Sequence, residues 1–232
     1  MGSAIRTTCG RLCRDAERAS ECNGIDIRTG QFHCDAMTVG RPKSYRPEIV
    51  LQRALDCFWS HGFEATSMQD LLACTGLSKS SLYEEFGSKR ALFERCVITY
   101  REHAVAGMGA RLAAAPSGLA FIREMLESVA AESAAGSHPR GCFVMNMAGE
   151  FSQTDPRVAQ LIAESIAAFT GVFRKAVKRA QAEGEIPERK SASRLARFLV
   201  ANMSGLRTLA KAGAGAKSLN DTAQVVVEAL RA

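Results

Sequence analysis

Apolar residues recur along most of this sequence at the three- and four-residue spacing that places them on one face of an α-helix. The first such stripe follows Pro47 and contains Val50, Ala54, Cys57 and Phe58, at positions i, i+4, i+7 and i+8. No segment shows the two-residue alternation of a half-buried strand. The pattern therefore predicts an all-α fold of about nine helices.

Local start and stop signals divide these stripes into elements. Thr66 and Ser67 offer an N-terminal cap, with Gln69 and Asp70 placed to complete a capping box, and Ser78 is a further N-terminal cap. Gly62 and Gly76 are typical helix ends, and Asp155 precedes a proline at a first helical position. We expect helices over residues 47–61, 68–74, 79–86, 89–113, 119–131, 142–151, 156–183, 192–211 and 219–231.

Residues 1–36 differ from the rest, because their charges are scattered and they have no periodic apolar face. We predict a disordered tail over 1–40, with Met37 as the translation start. A DNA-binding domain is then expected over 41–100, and a larger helical domain over 101–232. The tail's cysteines form no Cys-x-x-Cys pair and match no zinc finger, so we predict no metal at Cys9, Cys13, Cys22 and Cys34.

Charge and hydropathy limit the possible partners. The net charge is +6, but most of the excess lies in residues 101–232, so it gives little support for nucleic-acid binding by itself. No apolar run approaches the roughly 18–20 residues that span a membrane, and no secretory signal is present. We expect a cytoplasmic protein with reduced cysteines and no membrane partner.

The segment from Thr66 to Lys89 has the pattern of a helix-turn-helix. A short helix is followed by the Gly76 turn and by a second helix that opens with small polar and basic residues. In such motifs the N-terminal residues of the second helix face base edges in the major groove. Lys79 would then meet phosphate or guanine, and Tyr83 would donate a hydrogen bond to phosphate.

Residues 41–100 resemble the DNA-binding domain of the TetR/AcrR family of regulators. The fragments that match, with their spacing, are Gly40-Arg41-Pro42, Gly62-Phe63, Thr66-Ser67, Gly76-Leu77-Ser78-Lys79, Ser81-Leu82-Tyr83, Phe86-Gly87-Ser88-Lys89 and Ala91-Leu92-Phe93. The resemblance implies a homodimer that binds a palindromic double-stranded DNA operator, usually as a repressor. It also implies a small-molecule effector pocket in the helical body and pairing of the last two long helices across the dimer.

Carried over by this resemblance, the expected DNA contacts are Ser67, Ser78, Lys79, Ser80, Ser81, Tyr83 and Lys89. A basic arm, Arg41 and Lys43, would reach the DNA backbone or the minor groove. Two features depart from the family pattern. Glu84 and Glu85 stand where relatives often carry His, Asn or small residues; they would accept a hydrogen bond from a cytosine amino group but repel a nearby phosphate. Leu72 replaces a small residue in the first helix of the motif.

Candidate effector contacts come from the apolar stripes of the body. They are His103 and Asn146 as polar anchors, Cys142 as a thiol close to Arg140, and Phe121, Met125, Phe143, Met145, Met147, Phe151, Phe169 and Phe173 as apolar lining. Methionine-rich linings suit varied ligands because the side chain adapts its shape. Any one of these residues is still more often core than lining.

The sequence also bears on two other function classes. An enzyme is not expected, because the sequence has no Gly-rich phosphate loop, His-Glu-x-x-His, serine nucleophile elbow or paired-cysteine metal site, and it predicts no cofactor. A helical protein-interaction module that has lost specific DNA binding through Glu84 and Glu85 stays open. Binding to a mixed pool of short duplexes separates that module from a regulator.

Overall fold

The computed structural model describes residues 45–135, 139–151 and 155–232. Over these ranges the chain forms helices and no strand, which confirms the predicted all-α fold. The predictions for the tail, for Met37 and for the arm of Arg41 and Lys43 lie outside the described residues. The helices are α1 Pro47–His61, α2 Met68–Thr75, α3 Lys79–Phe86, α4 Lys89–Ala114, α5 Gly118–Ala134, α6 Phe143–Phe151, α7 Pro156–Ala182, α8 Ala192–Lys211 and α9 Ala216–Arg231.

Side-chain caps explain why the predicted helix starts agree with the observed ones. An N-terminal backbone N–H group has no partner within its helix, and a short polar side chain accepts its hydrogen bond. The side chains that do this are Ser67, Ser78, Ser88, Ser117, Asp155 and Ser191, on α2, α3, α4, α5, α7 and α8. Among the described helices, none combines the length and the apolar character that crossing a membrane requires.

The buried apolar residues form two clusters. One lies between α5, α7, α8 and α9 and includes Phe121, Leu126, Phe173 and Leu199. The other lies beneath α1, α2, α3 and the first turns of α4 (residues 89–97), which together we call the head, and it also takes in α6 and the first two turns of α7. The head core therefore does not end at residue 100, where the sequence suggested a boundary, because the apolar helix α6 completes it.

A close helix crossing positions α5 against α7. Gly118, the first residue of α5, is buried, and a Cβ atom there would lie 2.3 Å from the carbonyl oxygen of Ala176 and 2.5 Å from the amide nitrogen of Ala180. Only glycine fits this approach, since a backbone neighbour cannot move aside as a flexible side chain does. The crossing thus depends on the absence of a side chain.

Carboxylates at the end of α7 complete the same crossing. The N–H of Gly118 donates to Glu183 Oε2 at 2.7 Å, and the N–H of Leu119 donates to Glu185 Oε2 at 3.2 Å. Hydrogen bonds from Gly118 and Arg179 lower the pKa of Glu183, so the carboxylate stays ionised. This explains the Glu183-Gly184-Glu185 sequence, which supplies two acceptors to one helix N-terminus.

We expect Gly118→Ala to destabilise the fold strongly. The added methyl group would force the α5–α7 backbones apart, and overpacking of this kind costs roughly 1–3 kcal/mol or more. Gly109→Ala is the matched control, because Gly109 lies inside α4 with open space around its Cβ position and should gain about 0.5–1 kcal/mol. Thermal unfolding at one fixed protein concentration measures both, and equal melting temperatures for the two variants would contradict the close crossing.

Candidate DNA-binding face and ligand cavity

The turn between α2 and α3 has the geometry of a helix-turn-helix. Gly76 ends α2 with φ 73° and ψ 12°, a left-handed conformation that glycine adopts without strain, and its N–H donates to the Leu72 carbonyl at 2.9 Å. Arg53 of α1 donates to the Thr75 carbonyl at 3.3 Å. On the inner side of α3, Leu82 is fully buried. These contacts fix the direction in which α3 leaves the turn.

The N-terminal end of α3 presents hydroxyl groups and a cation to solvent. Ser78 Oγ accepts from the N–H of Ser81 at 3.2 Å and lies 3.0 Å from Ser80 Oγ and 2.9 Å from Ser81 Oγ. Lys79 is exposed beside them, and Tyr83, one turn further on, is 41% exposed. The hydroxyls are thus ordered by one another and can turn toward a base edge or a phosphate.

Ser67 and Lys89 stand at two other helix starts of the head. Ser67 Oγ accepts from the N–H of Asp70 at 3.1 Å, and the Asp70 carboxylate accepts from the N–H of Ser67 at 2.8 Å. Lys89, the first residue of α4, has its Nζ 4.2 Å from the centre of the Phe63 ring. A cation held at a helix N-terminus, next to free N–H groups, favours phosphate.

The two carboxylates that depart from the family pattern have different surroundings. Glu85 accepts a hydrogen bond from the Tyr45 hydroxyl at 3.2 Å and pairs with Arg95 at 3.6 Å, and its side chain is only 11% exposed. Glu84 is exposed. The Glu85 charge is therefore balanced within the head. Glu85 thus does not support the alternative of an interaction module that has lost DNA binding. Leu72 is half-buried against the head core.

A cavity of about 250 Å³ lies in the body between α4, α5, α7 and α8 and the start of α6. Its lining is mainly apolar, and four methionines contribute to it. The described residues around it are Tyr100, His103, Ala104, Gly107, Met108, Arg111, Met125, Cys142, Met145, Ile166, Phe169, Phe173, Val200, Met203, Ser204 and Arg207. A concave apolar site with a few polar groups is the usual form of a small-molecule site.

One wall of the cavity contacts the head directly. Tyr100 lines the cavity, and its hydroxyl oxygen lies 3.6 Å from Cys142 Sγ. Burial, with Cys142 adding to the effect, raises the pKa of Tyr100, so the phenol is neutral. The Tyr100 ring also meets the Trp59 ring of α1 in an edge-to-face arrangement, with 5.1 Å between the ring centres. A ligand against Tyr100 is therefore one side chain away from the head.

The segment before α6 is bound to the head at the same place. Arg140 pairs with Asp56 at 2.9 Å, and its guanidinium lies 4.3 Å above the Trp59 ring. The Arg140 carbonyl accepts from the Trp59 indole N–H at 3.2 Å and from Asn146 at 2.8 Å. Cys142, two residues later, lines the cavity.

The other end of α6 holds the turn that leads into the helix-turn-helix. The Glu150 carboxylate accepts from the N–H of Glu64 at 2.7 Å and from the N–H of Phe63 at 3.1 Å. Met145, on the same helix, lines the cavity. Helix α6 thus joins the cavity at its start to the α1–α2 turn at its end.

Family models match both parts of the chain. Residues 50–96 match the model "Bacterial regulatory proteins, tetR family", and residues 118–226 match "Tetracyclin repressor-like, C-terminal domain". The HTH-type transcriptional regulator YezE of Bacillus subtilis is 32% identical over 193 residues, which cover 83% of this chain and 100% of the relative. The chain belongs to the TetR family of transcriptional regulators.

Two further TetR-family comparisons agree. The HTH-type transcriptional repressor ComR of Escherichia coli is 29% identical over 194 residues, covering 83% of this chain and 92% of that protein. A cysteine mutant of the TetR family regulator CifR, solved with 26-bp operator DNA, superposes with a TM-score of 0.72 at 27% identity, covering 82% and 99% of the two chains. TetR-family regulators are non-enzymatic, which confirms the prediction that this protein is not an enzyme.

The predicted effector residues of this TetR-family protein fall into two groups. Those that line the cavity are His103, Met125, Cys142, Met145, Phe169 and Phe173. The structure places the others elsewhere: Phe121 is buried in the body core, Asn146 is bonded to the Arg140 carbonyl, and Phe143, Met147 and Phe151 are buried in the head core. Helix α6 turns most of its apolar face to the head rather than to the cavity.

Several cavity residues carried no signal strong enough to be singled out in the sequence. Tyr100, Ala104, Gly107 and Arg111 stand at i, i+4, i+7 and i+11 of α4. This face of α4 continues the buried apolar stripe that ends at Val97, but its residues are small or polar. Such a change within an amphipathic stripe is the signal by which these cavity residues could have been identified in the sequence.

We expect Glu150→Ala to loosen the α1–α2 turn. Loss of both acceptors should lower the free energy of unfolding by about 1 kcal/mol and speed hydrogen exchange at the amides of Phe63 and Glu64. Glu102→Ala, at an exposed position of α4, is the control and should change neither. Residue-resolved hydrogen exchange measures this, and unchanged protection at those two amides would show that Glu150 does not stabilise the turn.

We also expect the four cysteines of the described residues to alkylate in a set order at pH 8. Cys74 is exposed, and Cys142 is half-buried on the cavity wall. Cys57 and Cys96 are buried; burial raises both thiol pKa values, that of Cys57 to about 12. Because a raised pKa lowers the thiolate fraction, by roughly a thousandfold for Cys57, these two should react only on unfolding or at high pH.

Mass mapping of iodoacetamide adducts measures the order, with Cys74 fastest and Cys142 next. The same protein in denaturant is the control, since all four thiols should then react alike. Labelling of native Cys57 or Cys96 at the rate of Cys74 would show that these helices open far more readily than the packing indicates.

Proposed function

We propose that this protein is a ligand-responsive repressor that binds a palindromic operator as a homodimer and is released by a small apolar or electrophilic effector. The observation that carries the proposal is the position of α6. Its Met145 and the preceding Cys142 line the cavity, and its Glu150 accepts hydrogen bonds from the α1–α2 turn. A change at the cavity thereby reaches the helix-turn-helix.

The DNA contacts follow from the exposed groups of the head. Ser80 and Ser81, at the start of α3, read base edges, and Lys79 contacts phosphate or guanine. Lys89 and Tyr83 position the head on the phosphate backbone, as do Ser67 and Ser78 at their helix starts. The basic arm of Arg41 and Lys43 adds backbone or minor-groove contacts on the strength of the family resemblance alone.

Exposed apolar side chains support a homodimer through the last two helices. In the described part of the chain, three large hydrophobic side chains of α8 and α9 are exposed: Phe198 at 39%, Leu209 at 49% and Val225 at 63%. Burial of such surface between two copies would be favourable by roughly 25 cal/mol per Å². A dimer also sets two heads at the half-site spacing of about 34–36 Å that a palindrome requires.

Release requires a ligand that prefers the form unable to bind DNA. To change the DNA-competent fraction from 99% to 1%, the difference in binding free energy must be about 5.5 kcal/mol. An apolar ligand in the cavity would press on Tyr100, and through it on Trp59. An electrophile would instead alkylate Cys142, and the bulk of the adduct would displace the Tyr100 hydroxyl.

Operator selection from a random duplex library tests the proposed function. We expect a palindromic consensus, protection of two half-sites by one dimer, and loss of binding when the cavity is filled. Lys89→Ala should weaken binding to every duplex and reduce the salt slope by about one unit. Changes at Ser80 or Ser81 should alter which half-site is preferred, by about 1–3 kcal/mol per mismatched pair.

Lys175→Ala is the matched control for Lys89→Ala, since it removes the same charge from an exposed position of α7. It should leave both affinity and salt slope unchanged. A library without a selected sequence would favour an interaction module instead. A Lys89→Ala protein with a new sequence preference and the original salt slope would show that α3 is not the recognition helix.

A further inference from the structure

We infer that the effector is a small organic anion: an aryl or medium-chain monocarboxylate whose apolar part fills the cavity and whose carboxylate binds Arg207. This rests on the proposed function in one respect, that the cavity between α4, α5, α7 and α8 is the effector site. It replaces a purely apolar effector with one that carries a single charged group, and it names the residue that binds that group.

The charges around the cavity are of one sign. Of the sixteen described residues that line it, two are arginines and one is a histidine, while none is an aspartate or a glutamate. The apolar side chains around them give the site a low dielectric, in which a charge interacts more strongly than in water. The lining therefore disfavours cations and favours an anion.

The two arginines are not equivalent. Arg111 forms an ion pair with Glu124, with its Nη2 2.9 Å from Oε1, so its charge is already balanced. Arg207 of α8 is half-buried, and within the described part of the chain no carboxylate or carbonyl oxygen accepts a hydrogen bond from its guanidinium. Its positive charge acts on a residue of the cavity wall. Burial raises the pKa of the Tyr100 phenol, and the Arg207 charge opposes that larger effect by lowering the same pKa.

Neutral hydrogen-bond donors accompany Arg207. Ser204 precedes it by three residues on the same face of α8, and the neutral Tyr100 hydroxyl lies on the α4 wall. A guanidinium binds a carboxylate in a bidentate manner, and hydroxyl donors satisfy the remaining lone pairs. Arg207, Ser204 and Tyr100 thus offer donors to a planar carboxylate, while Met125, Phe169 and Phe173 offer apolar surface to the rest of the ligand.

The volume limits the size of the acid. A cavity of about 150 Å³ holds benzene, so the observed volume of about 250 Å³ takes a ring with a short acidic side chain or an alkyl chain of similar bulk. A dianion would leave one charge without a partner, since only Arg207 among the lining cations lacks a bound carboxylate. A monocarboxylate is the class that fits both the charge and the volume.

Matched acids and amides test the inference on the unmodified full chain. The probes are 3-phenylpropanoate, 4-phenylbutanoate and octanoate, each compared by calorimetry with its primary amide, which has nearly the same shape and no charge. We expect at least one acid to bind, and to bind about tenfold or more tightly than its amide, because a hydrogen bond to a charged group is the stronger kind. Added salt should weaken the binding of the acid and leave the binding of the amide unchanged.

Arg207→Gln should remove this preference and leave the amide's affinity unchanged. Arg194→Gln is the matched control: it removes a cation from an exposed position of the same helix that does not line the cavity. Amides that bind as tightly as acids, a preference that survives Arg207→Gln, or a panel in which no acid binds would each overturn the inference. Operator affinity is measured separately, so a protein that binds DNA but prefers amides refutes only the ligand class, whereas one that selects no operator refutes the proposed function.

Discussion

The packing of α6 against the head is the contact on which the rest of this structure depends. The Phe143 ring lies 5.9 Å from Trp59, 6.0 Å from Phe93 and 5.6 Å from Tyr100, and Phe151 lies 5.2 Å from Phe93, as ring centres. Aromatic pairs at such distances contribute about 0.5–1.5 kcal/mol each beyond the area they bury. A head without α6 would expose these rings, so the DNA-binding unit is completed by a helix that also reaches the cavity of the body.

Polar contacts around this aromatic packing determine position more than stability. Arg140 and Asp56 are each close to half exposed, and pairs of that kind contribute at most about 1 kcal/mol. The Glu150 carboxylate differs, because it accepts from two backbone N–H groups of one turn and so has a fixed direction. The aromatic rings supply the energy of the junction, and the carboxylate sets where the α1–α2 turn lies.

Most of the fold could be predicted from the sequence because helix boundaries depend on local chemistry. The capping box at the start of α2 and the glycine turn at its end need only neighbouring residues, and the structure forms both, with Ser67 and Asp70 as the capping pair among the candidates and a left-handed Gly76. The cavity could not be predicted to the same degree. Phe143 and Phe169 occupy similar apolar stripes, yet one is buried under the head and the other lines the cavity, and the difference depends on which distant helix each one meets. Arg207 gave no signal at all, since an arginine on a helix is most often solvated.

The shared helix has a thermodynamic consequence that follows from linkage. If a ligand at Tyr100 and Cys142 weakens operator binding by some factor, the operator must weaken ligand binding by the same factor. The cavity-lining side chains and the Glu150 acceptor belong to one continuous path through α6 and the α4 wall, so no separate hinge is needed between the two sites. A stiffer junction transmits a displacement at the cavity more completely, but it also raises the energy that the ligand must supply to cause that displacement.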